Sequence, residues 1–259
     1  MSASDRPDTA WRLSRRTFAG AGIAAVAASQ VLSAEPEASR KGSGPLIQPG
    51  QTVLFQGDSI TDAGRKRDAT SADANSQAAL GDGYAWLAAS QLLVDRADDK
   101  LRIFNRGISG NKIPDLADRW QADCLDIKPD ALSILIGVND FWHKQSGDYE
   151  GDMAKYESGY QDLIKRTQDA LPNVKLVICE PFILLCGAVK EEWLPEFDTY
   201  RAAAKRIADQ AEARFVPFHE MFTKASKIAP PERWAADGVH PTADGAALMA
   251  HAWRQIVDG

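Results

Sequence analysis

The chain has 259 residues, 44% of them apolar and 25% charged, with 36 acidic against 30 basic side chains and a formal charge of -6. Such a composition gives an ordinary soluble chain with room for one large α/β core, and its acidic balance, with no Lys/Arg cluster in the body, argues against a nucleic-acid partner. Three cysteines, Cys124, Cys179 and Cys186, are too few for a disulfide framework and lack zinc-type C-x-x-C spacing; the gap from Cys179 to Cys186 permits a bridge in an oxidising compartment without predicting one.

The N-terminus reads as an address. Ser14-Arg15-Arg16-Thr17-Phe18 precedes a weakly apolar, Ala- and Gly-rich run over 19–34 that ends in Leu32-Ser33-Ala34. This is the layout of a bacterial signal peptide, and the paired arginines resemble a twin-arginine signal, although Ala19 stands where a more apolar residue is usual. The run falls short of the roughly 20 strongly apolar residues of a spanning helix, so no stable membrane insertion is expected after cleavage. Cleavage near Ala34 removes four basic and two acidic residues and leaves a net charge of -8 on an exported, periplasmic or extracellular protein. Residues 35–50, rich in Pro, Gly, Ser and charge, read as a linker, and 51–259 as one domain.

Within that domain, strand-like apolar runs at 52–56, 101–105, 131–136, 174–179 and 215–218 alternate with helix-like segments at 84–95, 114–125, 149–170, 197–214 and 243–257. Five strands each followed by a helix predict an α/β fold with a parallel sheet covered on both faces. Ligands of such sheets bind at the carboxyl ends of the strands, so chemistry belongs just after each apolar run.

The strand ends supply a consistent set. After the first comes Gly57-Asp58-Ser59, which presents a candidate nucleophile at the sheet edge. After the second, Asn105-Arg106-Gly107-Ile108-Ser109-Gly110 contains a glycine, Gly107, able to bring a backbone N–H close to a ligand. The third ends in Gly137-Val138-Asn139-Asp140, with an amide donor in Asn139. Near the C-terminus, Asp237-Gly238-Val239-His240-Pro241 holds a carboxylate and an imidazole three residues apart, with Pro241 and an N-cap at Thr242 pinning the loop to the last helix. A carboxylate beside an imidazole fixes its tautomer and stabilises the imidazolium.

Together these motifs resemble the SGNH, or GDSL-type, hydrolase family over 52–259, and all four stand in that family's order. The resemblance implies a three-layer, flavodoxin-like sandwich with a five-stranded parallel sheet. It further implies Ser59 as nucleophile, His240 as general base and Asp237 as its partner. The oxyanion hole would be formed by the N–H groups of Ser59 and Gly107 and the Asn139 amide, with no metal or other cofactor. Among export-tagged members, Gly-Asp-Ser-Ile-Thr-Asp points to a carbohydrate O-acetylesterase, with lysophospholipid or short-chain lipid ester hydrolysis as the alternative.

Three other readings compete. An α/β-hydrolase would need a glycine where Thr61 stands. A metal phosphoesterase could draw ligands from Asp58, Asp62, Asp140, Asp237 and His240, but the chain has only four histidines and no His-x-x-x-His pair. A carbohydrate-binding module would stack sugars on tryptophans; Trp142, Trp193 and Trp234 fall near the expected mouth, whereas Trp86, Trp120 and Trp253 fall in predicted helices. His143, His219 and His251 read as surface or helix residues. The segments 180–193 and 62–82 are expected to shape the pocket. Oligomeric state is not legible.

Overall fold

The computed structural model describes residues 44–259; the signal-peptide reading lies outside them. Five strands, β1 (Thr52–Gly57), β2 (Arg102–Asn105), β3 (Ala131–Leu135), β4 (Lys175–Cys179) and β5 (Arg214–Val216), form one all-parallel sheet in the order β2-β1-β3-β4-β5. The central strands are buried on both faces, which is why they read as continuous apolar runs rather than alternating ones. Around the sheet stand α1 (Ser59–Asp62), α2 (Gln77–Leu80), α3 (Tyr84–Asp95), α4 (Ile113–Trp120), α5 (Val138–Ser146), α6 (Met153–Ala170), α7 (Leu194–Gln210), α8 (Phe218–Ala225) and α9 (Ala243–Asp258).

The register assigns the faces. Phe55 of β1 lies beside Ser133 of β3, and both meet Trp253 of α9: its ring centroid is 4.8 Å from that of Phe55, and its Nε1 donates to Ser133 Oγ at 2.9 Å. Gln56, one residue on, points the other way and donates to Asp123 O just beyond α4. Helices α3 and α9 therefore cover one face, while α4, α6 and α7 pack in a row on the other. Trp120 is buried on that side and donates to Thr167 Oγ1 at 3.0 Å. The chain leaves β1 for β2 on one side and returns to β3 on the other, so a topological switch point opens at the carboxyl end of β1, the place where open parallel sheets bind ligands.

Several segments differ from the sequence reading. Residues 138–146, to which the sequence reading assigned no helix, form α5 between Gly137 and the left-handed cap Gly147. Helix α4 stops at Trp120 and continues as one π turn over Gln121–Leu125. Helix α6 starts at Met153, where Asp152 accepts the N–H of Lys155. The domain also begins before residue 51. Ile47 is buried in the core, Leu46 donates its N–H to Val257 O at 2.8 Å, and Ile47 O accepts from Arg96 Nη1, so residues 44–50 pack on the domain rather than linking to it.

Candidate active site

Ser59 is the first residue of α1, directly beyond β1, and the preceding Asp58 caps that helix by accepting the Ile60 N–H. As the first helical residue, Ser59 has no intrahelical acceptor for its own N–H. Its Oγ lies 2.8 Å from His240 Nε2, and His240 Nδ1 lies 2.7 Å from Asp237 Oδ2. Because a carboxylate only accepts, Nδ1 carries the proton and the Nε2 lone pair faces the serine hydroxyl. Asp237 Oδ1 accepts the N–H groups of Val239 and His240, at 2.9 and 2.7 Å, which fixes the carboxylate in the loop. Partial burial pulls the Asp237 carboxyl pKa up, but the His240 side chain and the two backbone donors outweigh that pull and leave it below its ordinary value.

A second segment locks this loop from below. Leu184 donates to Gly238 O at 2.7 Å, Ala188 donates to Asp237 O at 3.1 Å, and Cys186 Sγ donates to Ala235 O at 3.2 Å. The 180–193 segment thus acts here as a brace for the Asp237–His240 loop. Cys179 and Cys186 are both buried free thiols.

The third group of residues comes from the β2–α4 and β3–α5 connections. Asn139, in the first turn of α5, donates through Nδ2 to Asn111 O at 3.2 Å and keeps its second amide hydrogen. Gly107 does not fit the donor role assigned to it. Its N–H is already given to Asn105 Oδ1 at 2.8 Å in a buried site, and a Cβ on it would come within 2.5 Å of Asp62 N, so this glycine exists to let the strand end press on α1. Three residues on, Gly110 is open: a Cβ on it would meet no atom within 4 Å, and its N–H has no hydrogen-bond partner among the described residues. It occupies the third position of a turn closed by Asn111 N–H to Ile108 O at 3.1 Å, with the positive φ of 82° that a type II turn needs. The signal for it was the turn sequence Ile-Ser-Gly-Asn.

Two buried carboxyls flank the site. Burial raises the pKa of both Asp58 and Asp140 to about 7, offset in part for Asp58 by the Ile60 N–H and His240 and for Asp140 by the Ile113 N–H; each leaves Oδ2 without a partner among the described residues. Asp62, also buried, accepts from Arg67 and from Ser109 N–H. The acidic residues weighed as metal ligands are thus engaged separately. Trp142 and Trp193 contact each other edge to face at 5.0 Å and, like Trp234, are half-buried against the core. The pKa of His219, half-buried in α8, is lowered to about 4, chiefly by burial and then by Arg201.

Residues 55–248 match the GDSL-like Lipase/Acylhydrolase family. An acetylxylan esterase of Geobacillus stearothermophilus is 33% identical over 212 residues, spanning 80% of this chain and 94% of that protein. A structure described as a GDSL-like lipase from Parabacteroides merdae superposes with a TM-score of 0.79 at 43% identity, covering 82% of this chain and 97% of that one. The crystal structure of the Geobacillus acetylxylan esterase gives 0.73 at 31%, covering 82% and 96%. Catalytic mutants of that enzyme replace a serine, an aspartate and a histidine by alanine, the last two spaced as Asp237 and His240 are here. Fold and relatives define a carboxylic-ester hydrolase of the acetylesterase kind with the three-layer SGNH architecture. The chain belongs to the GDSL-like lipase/acylhydrolase family.

Proposed function

We propose that this protein is an exported acetylesterase that removes O-acetyl groups from carbohydrates through a Ser59-His240-Asp237 triad. The observation that carries this reading is the unbroken hydrogen-bond relay from Asp237 through His240 to Ser59 at the switch point of the sheet. A serine hydroxyl attacks an ester only as a base removes its proton, and such help is worth about a hundred- to ten-thousand-fold. His240 Nε2 takes that proton while the Ser59 Oγ–carbonyl carbon bond forms, then gives it to the departing sugar oxygen as the ester C–O bond breaks. Water, deprotonated by the same nitrogen, adds to the acetyl-serine carbonyl; the Ser59 Oγ–carbon bond then breaks, His240 returns the proton to Ser59 Oγ, and acetate is released.

The negative charge formed on the carbonyl oxygen in both steps is met by Ser59 N–H, Gly110 N–H and the free Asn139 amide hydrogen, with Gly110 replacing Gly107. Each preorganised donor is worth roughly 2.7–4 kcal/mol of barrier. The carbohydrate preference rests on the acetylxylan esterase relative, and export rests on the paired Arg15 and Arg16 ahead of 19–34.

The test is acetate release from acetylated xylo-oligosaccharides against hydrolysis of long-chain and lysophospholipid esters, with mass-spectrometric mapping of an organophosphonate label. The expected result is acetate release, little long-chain activity, and the label on Ser59. A preference for long-chain esters would move the substrate to lipids, and a label elsewhere would remove Ser59 as nucleophile.

A further inference from the structure

Helix α1 carries two side chains with different partners at its two ends: Ser59 faces His240, and Asp62, its last residue, faces the β2–α4 turn. The Asp62 side chain is only 5% exposed. Its Oδ2 accepts the Ser109 N–H at 2.9 Å and both Nε and Nη2 of Arg67, at 3.1 and 2.6 Å. Ser109 immediately precedes Gly110, whose unpartnered N–H is the donor proposed above.

We infer that Asp62 is a positioning residue for the oxyanion hole: its carboxylate ties the Ser109–Gly110 turn to the nucleophile's own helix and sets where the Gly110 N–H points. The inference rests on the serine-esterase reading and deepens it.

The rest of the turn explains why this tie matters. The chain on either side of Ser109 is held elsewhere: Gly107 O accepts from buried Arg65 Nε at 2.7 Å, and Ile108 N–H donates to Gly57 O at 3.1 Å. Beyond Gly110, Asn111 O accepts from Asn139 and Ile113 N–H donates to Asp140 Oδ1 at 3.0 Å. At the tip itself, Ser109 is exposed, a Cβ on Gly110 would meet open space, and Asp62 is the side chain that engages this part of the backbone. A carboxylate acceptor makes a shorter and stronger bond than a neutral one. Arg67, half-exposed, pairs with the same oxygen and so holds the carboxylate aimed at Ser109. One short helix then fixes both the attacking oxygen and one of the donors that receive the charge, so the distance between them does not depend on the mobility of a surface turn. Preorganised donors of this kind lose their value when they have to be reoriented during the reaction.

The test compares Asp62→Ala and Asp62→Asn with the wild-type chain, reading kcat and KM for p-nitrophenyl acetate and Ki for an aryl trifluoromethyl ketone, which adds Ser59 Oγ to its carbonyl and leaves an oxyanion in the same place. A misplacement of about 1 Å costs on the order of a hundred-fold. Asp62→Ala is therefore expected to lose about ten- to a hundred-fold in kcat, with KM within about three-fold and the ketone Ki raised by the same factor as kcat falls. Asp62→Asn, which keeps an acceptor oxygen for Ser109 N–H, is expected to recover most of the loss. Both partners of Asp62 can reach water, so the alanine chain should fold; if it does not, Asp62→Leu, of similar volume and without an acceptor, takes its place. A kcat within about two-fold of wild type, or a kcat loss that leaves the ketone Ki unmoved, would overturn the inference. Failure of the underlying reading is distinct, because it would appear in the wild-type chain as a phosphonate label away from Ser59.

Discussion

Gly107 and Asn105 close a ring of buried hydrogen bonds behind Ser59. The Gly107 N–H donates to Asn105 Oδ1 at 2.8 Å, and Asn105 Nδ2 donates to Thr61 O at 2.5 Å and to Leu80 O at 2.9 Å. One amide at the end of β2 thus satisfies three backbone groups from three segments, among them α1.

Asn105→Ala strands all three at once. Each unsatisfied buried group costs roughly 1–3 kcal/mol, so the substitution should lower stability by more than about 3 kcal/mol, seen as a clear fall in the urea midpoint with little change in slope. Asn139→Ala should behave in the opposite way. Among the described residues its amide is bonded only to Asn111 O, so stability should change little while kcat falls about a hundred- to a thousand-fold at nearly constant KM. If the two variants exchanged these phenotypes, the division between scaffold amide and donor amide would be wrong.

Asp237→Asn addresses the tautomer. An amide that turns its NH2 toward His240 makes Nδ1 an acceptor and places the proton on Nε2, facing the serine, where it blocks general-base catalysis. A kcat loss of about ten-thousand-fold is expected at neutral pH, with KM for p-nitrophenyl acetate little changed. Retention of a tenth or more of wild-type kcat would show that the imidazole keeps its orientation without the carboxylate.

The buried pair Asp58 and Asp140 should give the fold a pH signature. Burial raises both to about 7 in the folded protein, above the ordinary 3.8, so the native state binds protons more tightly than the unfolded chain. Their contribution to stability is fully present below pH 3.8 and is lost as pH rises through about 7. Asp140→Asn removes the ionisation while keeping an oxygen for the Ile113 N–H. The variant's unfolding free energy relative to wild type should therefore rise from pH 4 toward pH 7 and level off above it, measured by urea melts at each pH. A difference that stayed flat, or shrank, would mean that Asp140 is charged in the folded state at neutral pH without cost.

Much of this arrangement was legible in the residue order because each part stands at a boundary that sequence marks well. Strands buried on both faces leave continuous apolar runs, and Gly57-Asp58-Ser59, Gly137-Val138-Asn139 and Asp237-Gly238-Val239-His240 follow or precede such boundaries. The choice between Gly107 and Gly110 was not legible. Both are glycines in one six-residue stretch, and only the contact of the first with Asp62 and Thr61 across the fold tells which is pressed and which is open. Helix α5 was hidden for a related reason, since Gly-Val-Asn-Asp serves a turn and a helix start equally well. The burial of Ile47 escaped because two adjacent apolar residues, Leu46 and Ile47, among Pro, Gly and charge carry no period.

The brace beneath the Asp237–His240 loop offers a last test, at Gly238. A Cβ there would come within 2.6 Å of the carbonyl oxygens of Cys186 and Leu184, and its φ of 87° is one that side chains rarely adopt. The loop in Gly238→Ala has to lift away from the 184–188 segment, breaking the bond from Leu184 N–H to Gly238 O and carrying Asp237 and His240 with it. Ser59 stays with β1 and α1, so the 2.8 Å contact to His240 Nε2 should be lost while the rest of the sheet holds. The expected outcome is a kcat lowered by about a hundred-fold for p-nitrophenyl acetate, with a smaller effect on KM. Phosphonate labelling of Ser59 should slow in parallel, since that reaction needs the same base. Labelling at the wild-type rate in a folded Gly238→Ala chain would mean that the loop carries His240 into place without the brace.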